Sequence, residues 1–210
     1  MQLIGMLDSP YVRRVAVSFQ LLGLPFEHRS ISVFRTFEQF HAINPVVKAP
    51  TLVCDDGTVL MDSTLILDYA EQLAAPRTLL PLDIDERRKA LRIIGLALAA
   101  SEKSVQIIYE RTLRPEERRH APWIERVTGQ LLAACQALEA EIAWQVPAVT
   151  SASIDQAGIT AAVIWHFIQA TLSAIVDGSR HPALQALSAS AEQLPEFAAA
   201  PHGDGVYPVR

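Results

Sequence analysis

Hydrophobic and polar positions divide the chain into a first part with mixed periodicity and a second part with helical periodicity alone. Short apolar runs predict four strands, at residues 2–6, 26–31, 51–54 and 58–61. The last two runs flank Asp55–Gly57, which is typical of a hairpin turn. Between the first two strands, apolar residues at three- and four-residue spacing predict a helix that begins at Pro10 and ends at Gly23.

Two more helices complete the first part. Residues 33–43 predict a short, irregular helix, and a longer helix is expected after the hairpin, capped by Ser63 or Thr64. The predicted inner face of this longer helix consists of Leu65, Ile66, Tyr69 and Leu73. Two prolines and a change of composition then mark a linker. We therefore expect a mixed α/β domain at residues 1–76 and a linker at residues 77–84.

The second part, residues 85–210, is rich in alanine and leucine and has no strand pattern of comparable quality. Its apolar periodicity predicts helices near residues 85–112, 116–145, 155–176 and 182–192. Asp155 is one candidate N-cap of the third helix, with Ile154 and Ile159 as a hydrophobic staple. Ser153, in a capping box with the residue three positions later, is the other. The chain is thus expected to fold as an α/β domain followed by an all-helical domain.

Composition narrows the class of protein. Half of the 210 residues are hydrophobic and the formal net charge is −5, so no nucleic-acid-binding surface is expected. The longest apolar run, residues 93–100, is too short to cross a bilayer, and no basic region precedes an apolar signal segment. We therefore expect a cytoplasmic protein with no membrane partner. The mean hydropathy of +0.19 fits either an apolar subunit interface or a large core.

Cysteine usage excludes two further kinds of site. The chain has two cysteines, Cys54 and Cys135, and they do not form a CxxC pair. Neither a redox dithiol nor a pair of metal ligands is therefore predicted. We expect both side chains to fill the core, and we expect no metal cofactor.

Three short motifs in the first 63 residues carry the candidate chemistry. Asp8–Pro10 opens a helix, Val47–Pro50 opens a strand, and Asp62–Ser63 opens another helix. Helix N-termini present free N–H groups and a partial positive charge, and the proline sets the backbone edge between them. Each motif alone is typical of an ordinary cap or turn. Together they predict a binding site for a small anionic peptide that carries a thiol.

The order of these elements and motifs resembles the cytosolic glutathione transferases, specifically the bacterial type with a serine active site. The resemblance is carried by Ser9–Arg14, by Asn44–Pro45 leading to Lys48–Leu52, by Asp62–Ser63 with Ile66 and Tyr69, and by Asp155–Thr160. It covers nearly the whole chain. It implies a thioredoxin-like, glutathione-binding domain at residues 1–76 and an all-helical domain at residues 85–210 that contributes a pocket for the electrophile.

The chain departs from the family pattern at three places. Asp62 stands where a longer Glu or Gln is usual, which bears on how the γ-glutamyl group is held. Gly158 stands at the third position of its helix, where Asp is usual, which bears more on folding than on chemistry. The motif of two serines and a cysteine found in the maleylacetoacetate isomerase branch is absent, which disfavours that assignment.

The resemblance assigns the two helix-opening motifs to the sulfur and to the γ-glutamyl end of reduced glutathione, which acts as co-substrate. Ser9 is the expected catalytic residue, because its hydroxyl would donate to the sulfur and favour the thiolate. Without the resemblance, a serine at this position is simply an N-cap. Ser63 would bind the γ-glutamyl carboxylate through its hydroxyl and N–H, and Asp62 would pair with the α-ammonium group.

The middle motif is assigned to the peptide backbone and the glycyl end. Most X-Pro bonds are trans, but the resemblance implies a cis bond before Pro50. Such a bond would turn the backbone of Ala49 outward to pair with the extended peptide. Lys48 would reach the glycyl carboxylate, and Arg35 and His41 are weaker candidates for the same contact.

The resemblance further implies that the thiolate is added to a small hydrophobic electrophile and that the protein is a homodimer. We expect Tyr11, Phe34, Gln106 and Tyr109 to line the electrophile pocket. One alternative function is a non-catalytic scaffold or stress-regulatory protein on the same fold. A second is a glutathione-dependent reductase or isomerase, although a reductase requires a nucleophilic cysteine where Ser9 stands.

Overall fold

The computed structural model describes residues 1–144 and 149–207, which form two compact units. The first unit consists of Met1–Leu79 together with the segment from Glu192 onward, and the second consists of Leu80–Ala191. The first boundary falls inside the linker predicted at residues 77–84. The C-terminal end differs from the prediction, because the segment from Glu192 groups with the α/β unit and not with the helices before it.

The first unit is built on a four-stranded sheet with the strand order β2-β1-β3-β4. The strands are short: β1 is Gln2–Ile4, β2 is Glu27–Arg29, β3 is Thr51–Val53 and β4 is Val59–Met61. β1 and β2 are parallel and are connected by a helix, whereas β1–β3 and β3–β4 are antiparallel. The hairpin turn closes with the N–H of Cys54 donating to the carbonyl of Thr58, as the sequence predicts.

The helix between the first two strands, α1 (Pro10–Leu22), begins and ends where the sequence predicts. Ser9 is its N-cap, and Pro10 occupies the first helical position, where the missing N–H has no cost. Gly23 ends the helix in the left-handed conformation, with φ of 73°, and donates its N–H to the carbonyl of Gln20. The residues that mark its predicted apolar face are all buried: Val12, Val15, Ala16, Phe19 and Leu22.

The next helix, α2 (Phe37–Ile43), is shorter than the predicted 33–43. Side-chain hydrogen bonds hold the residues before it in a turn: Ser32 donates its N–H to the Thr36 hydroxyl at 2.9 Å, and the N–H of Arg35 donates to the Ser32 hydroxyl at 3.0 Å. Serine and threonine side chains compete in this way with helical backbone bonds. Phe40 is the buried residue of α2.

The last helix before the unit boundary, α3 (Ser63–Ala74), corrects two predictions. Its N-cap is Asp62, which accepts from the N–H of Thr64 at 2.9 Å, and not Ser63 or Thr64. Only one residue of the predicted inner face, Ile66, is buried; Leu65, Tyr69 and Leu73 are exposed. The buried stripe is Ser63, Ile66, Leu67 and Ala70. This face lies against α1, and it includes the small residues Ser63 and Ala70, which apolar periodicity does not single out.

The segment from Glu192 onward packs onto α1 through the short helix α8 (Pro195–Ala199). Both terminal nitrogens of Arg13 donate to the Glu192 carboxylate at 2.7 Å, and Nε donates to the carbonyl of Ala200 at 2.7 Å. Arg13 is 1% exposed. A buried arginine requires such partners, and here all of them come from the last part of the chain.

The second unit is all-helical, as predicted. It contains α4 (Ile84–Thr112), α5 (Ala121–Trp144), α6 (Gln156–Leu172) and α7 (Pro182–Ala191), with single 3₁₀ turns at Glu116–Arg118 and Gly178–Arg180. α6 is buried along almost its whole length and packs against α4 and α7. The fifth helix starts at Ala121 and not near residue 116, because the 3₁₀ turn intervenes. Among the described residues, no helix is long and apolar enough to cross a membrane.

The N-terminus of α6 resolves the choice between two caps. The Asp155 carboxylate accepts from the N–H of Gly158 at 2.8 Å, whereas Ser153 bonds to Thr150 in the preceding turn. Ile154 and Ile159 are buried, as the hydrophobic staple requires. A Cβ on Gly158 would lie 3.1 Å from Cγ1 of Ile154, which gives a packing reason for glycine at this position.

Candidate functional site

The strand register brings the three motifs to one end of the sheet. Ile4 pairs with Thr51, and Thr51 pairs with Met61. The residues adjoining these three positions are Gly5, which leads to Ser9, the Ala49–Pro50 pair, and Asp62–Ser63. Since the paired positions lie side by side across the sheet, the motifs share the same edge of the first unit.

Ser9 is half-buried and holds the first turn of α1. Its hydroxyl oxygen accepts from the N–H of Val12 at 3.5 Å, which is a long hydrogen bond. Among the residues that the structure describes, no acceptor takes the hydrogen of this hydroxyl. Ser9 is therefore able to donate to a ligand while it caps the helix.

Gly5, which the sequence prediction missed, controls how closely the strand end approaches its neighbours. Its φ is +136°, and a Cβ there would lie 2.6 Å from Cγ2 of Val12 and 3.2 Å from Cβ of Ala49. Only glycine adopts this conformation without strain and leaves this much space. The signal in the sequence is a glycine directly after a buried strand and before a helix cap.

His28 supports Gly5 from the neighbouring strand and was also missed. It is 3% exposed; its Nδ1 accepts from the N–H of Tyr207 at 2.9 Å, so Nε2 carries the proton and donates to the carbonyl of Gly5 at 2.7 Å. Burial lowers the pKa of His28, against a smaller raising effect of the bond to Gly5. The neutral imidazole thus joins the strand end to the C-terminal segment.

The peptide bond between Ala49 and Pro50 is cis, as the resemblance implies. Ala49 is half-buried, and within residues 1–144 and 149–207 its N–H and C=O have no hydrogen-bond partner. Two side-chain hydrogen bonds fix the loop that contains this bond. Thr51 donates its hydroxyl to the carbonyl of Lys48 at 2.7 Å, and the buried Asn44 donates to the Thr51 hydroxyl at 2.9 Å. The Ala75–Pro76 bond is also cis, which the sequence analysis did not anticipate.

Asp62 adopts a positive φ of 74° and is involved in two interactions. Oδ1 accepts from the N–H of Thr64, and Oδ2 lies 3.5 Å from Nζ of Lys48. Lys48 and Asp62 are each about half exposed, so the pair is accessible to solvent and to ligands. The resemblance assigns these residues to opposite ends of glutathione, whereas the structure pairs them with each other.

Ser63 is buried beside a second arginine of α1. Ser63 is 3% exposed, and its hydroxyl oxygen accepts from Nη1 of Arg14 at 3.3 Å. Arg14 is 1% exposed, and burial lowers its pKa to about 10, with Asp62 acting in the opposite direction. Arg14 belongs to the motif Ser9–Arg14, and the sequence pattern alone assigns it no contact with a ligand.

The two weaker candidates for the glycyl contact differ in position. Arg35 is exposed, lies 3.5 Å from the carboxylate of Asp204, and donates to the sulfur of Met6 at 3.4 Å, in the segment that leads to Ser9. His41 stacks on Phe37 with ring centroids 5.8 Å apart. Within the described residues, the structure links Arg35 but not His41 to the segment before Ser9.

The predicted electrophile residues lie in both units. Tyr11 is half-buried in α1 and Phe34 is exposed before α2, both in the first unit. Gln106 and Tyr109 lie on α4 of the second unit. Gln106 donates to Glu102 at 2.9 Å, while its buried carbonyl oxygen has no partner among the described residues. Their common role in a pocket stays a prediction.

Both cysteines are buried and free, as predicted. Burial raises the pKa of the Cys135 thiol to about 12, and it raises the pKa of Cys54 against a smaller lowering effect of Tyr69. Cys54 follows β3, so it lies at the end of that strand opposite to Pro50. No described group of three His, Cys, Asp or Glu side chains is arranged to hold a metal ion.

Comparison with known proteins agrees with this geometry. Residues 3–78 match the family "Glutathione S-transferase, N-terminal domain", a range that contains all three motifs. Glutathione S-transferase U4 of Arabidopsis thaliana is 29% identical over 117 residues, or 50% of this chain and 52% of that protein. For it and for several other curated relatives, the chain spans only about half of the relative's length.

Two longer similarities cover most of the chain. A zeta-class glutathione S-transferase of Euphorbia esula is 27% identical over 192 residues, or 88% of this chain and 82% of that protein. A glutathione transferase family member from Pseudomonas fluorescens Pf-5, crystallised with bound S-(propanoic acid)-glutathione, has a TM-score of 0.78 and 29% identity, and the match covers 95% of this chain and 98% of that one.

A thioredoxin-like unit with a cis-proline beside two helix N-termini, followed in the chain by a helical unit, defines the glutathione-transferase class of folds. The family match and the structural similarities lie in the same class. Residues 3–78 belong to the glutathione S-transferase N-terminal domain family, and the longer similarities extend the likeness to glutathione S-transferases over most of the chain.

Proposed function

We propose that the protein binds reduced glutathione in the first unit, stabilises its thiolate with Ser9 and adds it to a small hydrophobic electrophile. The observation that carries this proposal is the register Ile4–Thr51–Met61. It aligns a donor hydroxyl, an unpaired backbone N–H and C=O, and a helix N-terminus along one edge. These groups match the three parts of a γ-glutamyl tripeptide: the sulfur, the backbone and the terminal carboxylate.

The energetics are sufficient for thiolate formation. An ordinary thiol has a pKa of about 8.5, so only a few per cent is ionised at neutral pH. A hydrogen bond to a charged group contributes about 1.5–3 kcal/mol, and a helix N-terminus adds about 0.3–1 kcal/mol. At 1.36 kcal/mol per pKa unit, the bound thiol is lowered by roughly one to three units. The thiolate fraction of bound glutathione at neutral pH is then about 10-fold or more above that of the free thiol at the lower limit, and the thiol is almost fully ionised at the upper limit.

Binding of the tripeptide backbone and ends involves an exchange of partners. The cysteinyl residue pairs with the N–H and C=O of Ala49, while the α-ammonium group of the γ-glutamyl residue replaces Lys48 at the Asp62 carboxylate. The released Lys48 is then free to pair with the glycyl carboxylate. Because the Lys48–Asp62 pair is solvent-exposed, it is worth at most about 1 kcal/mol, so its loss is a small penalty.

The electrophile is proposed to bind near Tyr11, Phe34, Gln106 and Tyr109, and its apolar character follows from the aromatic side chains among them. We propose a role in detoxification of such electrophiles. We place the protein in the cytoplasm, where thiols are kept reduced, and both of its cysteines are free.

We further propose that the protein is a homodimer. The exposed apolar residues of α3 support this, since Leu65, Tyr69 and Leu73 recur every four residues and form one stripe. Light scattering coupled to size exclusion measures the mass. A monomeric wild-type protein, or a dimer unaffected by charged substitutions of this stripe, would contradict the proposal.

The central experiment is calorimetric titration of wild type and Ser9→Ala with reduced glutathione and with S-hexylglutathione. The wild type is expected to bind both ligands. The Ser9→Ala variant is expected to bind S-hexylglutathione normally while the thiolate absorbance of bound glutathione is lost at neutral pH. Equal conjugation rates in both proteins would move thiol activation to a backbone N–H. Absence of binding by the wild type would favour a scaffold without glutathione chemistry.

A further inference from the structure

Arg14 is a buried cation whose hydrogen-bonding capacity is only partly used within the described residues. It is 1% exposed, and Nη1 donates to the hydroxyl of Ser63 at 3.3 Å. Nε is buried and has no partner among the described residues, and none of their carboxylates lies within ion-pair distance of the guanidinium. The neighbouring Asp62 directs its oxygens to Thr64 and Lys48 instead.

A charge in this situation is unfavourable unless something else is bound. Guanidinium groups remain protonated at neutral pH, and with a pKa near 10 Arg14 does so even after burial. Desolvated cations are normally compensated by a carboxylate or by a complete set of acceptors. The Ser63 hydroxyl is neutral and the nearby Asp62 makes no hydrogen bond to the guanidinium, so the set of acceptors around Arg14 is incomplete.

The position of Ser63 determines where that anion binds. Ser63 is the first residue of α3, so its N–H is one of the unpaired donors of the helix N-terminus. Because its hydroxyl oxygen accepts from Arg14, the hydroxyl hydrogen is directed away from the guanidinium. A carboxylate at the helix N-terminus would accept from both groups of Ser63, and the chain from Arg14 through Ser63 would polarise that bond.

We propose that Arg14 is a positioning and specificity residue for the α-carboxylate of the γ-glutamyl group, acting through the Ser63 hydroxyl. This inference rests on the proposed function, since it takes glutathione as the ligand. It adds Arg14 to the carboxylate contact that the proposed function already gives to Ser63. A γ-glutamyl peptide whose α-carboxylate is neutralised is therefore a poor ligand.

The test is a double cycle between protein and ligand. Wild type, Arg14→Met and Arg13→Met are titrated calorimetrically with S-hexylglutathione and with the analogue in which the γ-glutamyl α-carboxylate is a carboxamide. Arg13→Met is the matched control, because Arg13 lies on the same helix, is equally buried and contacts Glu192 and Ala200. Melting temperatures are measured for all three proteins.

The wild type is expected to bind the carboxylate ligand at least about 10-fold more tightly than the carboxamide, since a hydrogen bond to a charged group is lost. Arg14→Met is expected to lose a similar factor toward the carboxylate ligand and to bind the carboxamide within about twofold of wild type. Arg13→Met is expected to melt at lower temperature while both dissociation constants stay unchanged.

Equal losses of Arg14→Met toward both ligands, or no loss toward either, would overturn the proposal and make Arg14 a packing residue. If Arg14→Met does not fold, Arg14→Lys provides the same comparison. Lysine keeps the positive charge but replaces the planar guanidinium by a compact ammonium group, so this variant is expected to lose affinity only toward the carboxylate ligand. A wild type that binds neither ligand refutes the proposed function itself, which is a different outcome from all of these.

Discussion

Arg13 and Arg14 are adjacent residues of α1 with the same exposure and opposite surroundings. Arg13 is paired with the Glu192 carboxylate through two hydrogen bonds and donates a third to the carbonyl of Ala200. Arg14 has one hydrogen bond, to the hydroxyl of Ser63. Consecutive helical residues point about 100° apart, so one helix presents one arginine to the C-terminal segment and the other to the ligand edge. The first cation is compensated within the chain, and we propose that the second is compensated by the ligand.

The largest effect is expected from removal of the Glu192 carboxylate, the charge partner of Arg13. Glu192→Ala leaves a buried guanidinium without its carboxylate, which we expect to lower the free energy of unfolding by about 3–5 kcal/mol. Urea denaturation followed by circular dichroism measures the change. The dissociation constant of S-hexylglutathione, measured where the variant is still folded, should remain at the wild-type value. A loss of affinity as large as the loss of stability would show that the Arg13 contacts also support ligand binding.

Gly5→Ala is expected to have the next largest effect, on the ligand side. The added Cβ overlaps Val12, and the alanine has to adopt the positive φ of this position; together these effects are expected to cost about 2–4 kcal/mol of stability. Gly57→Ala is the control, because Gly57 also has positive φ but has open space around it. It should lose only about 1–2 kcal/mol. Similar denaturation midpoints for the two variants would show that the close approach at Gly5 is not tight.

His28 contacts both the strand end that leads to Ser9, through Gly5, and the C-terminal segment, through Tyr207. Its folded-state pKa is lowered from the ordinary value of about 6.5, mainly by burial. Its contribution to stability is therefore fully present above that value and is lost as the pH falls through the lower folded-state pKa. The free energy of unfolding of the wild type should decline more steeply below pH 6.5 than that of His28→Gln. Parallel pH profiles of the two proteins would refute this assignment.

The smallest expected effect concerns the exposed pair Lys48–Asp62. Lys48→Ala should change the free energy of unfolding by less than about 1 kcal/mol, since both groups are accessible to water. Its effect on the affinity for glutathione should be a few-fold and should shrink as salt is raised. Calorimetry at two ionic strengths measures this. If the free energy of unfolding changes more than the free energy of glutathione binding, Lys48 contributes to the structure and not to ligand binding.

The sequence predicts the elements well where local chemistry determines them. α1 is bounded by Pro10 and Gly23, whose backbone preferences act without help from the rest of the fold. The inner face of α3 is a different case, because two apolar stripes compete. Packing against α1 selects the one that contains Ser63 and Ala70, and periodicity alone does not carry that information.

In the candidate site, too, features set by local sequence are predicted and features set by distant contacts are not. Ser9 and the Ala49–Pro50 pair, which the motifs contain, lie at one end of the sheet, and their roles toward a ligand stay predictions. Gly5, Arg14 and His28 were missed, since each acts through a contact with a residue distant in sequence. The grouping of the C-terminal segment with the first unit was missed for the same reason: the partners of Arg13 lie about 180 residues away along the chain.

The Arg13–Glu192 contact also affects the order in which the protein is completed. The carboxylate that pairs with Arg13 is synthesised only after the whole helical unit, since chains are made from the N-terminal end. Until then, Arg13 lacks its charge partner and the segment that covers it. The unit that carries the motifs is consequently encoded in two separated parts of the chain, with the helical unit inserted between them.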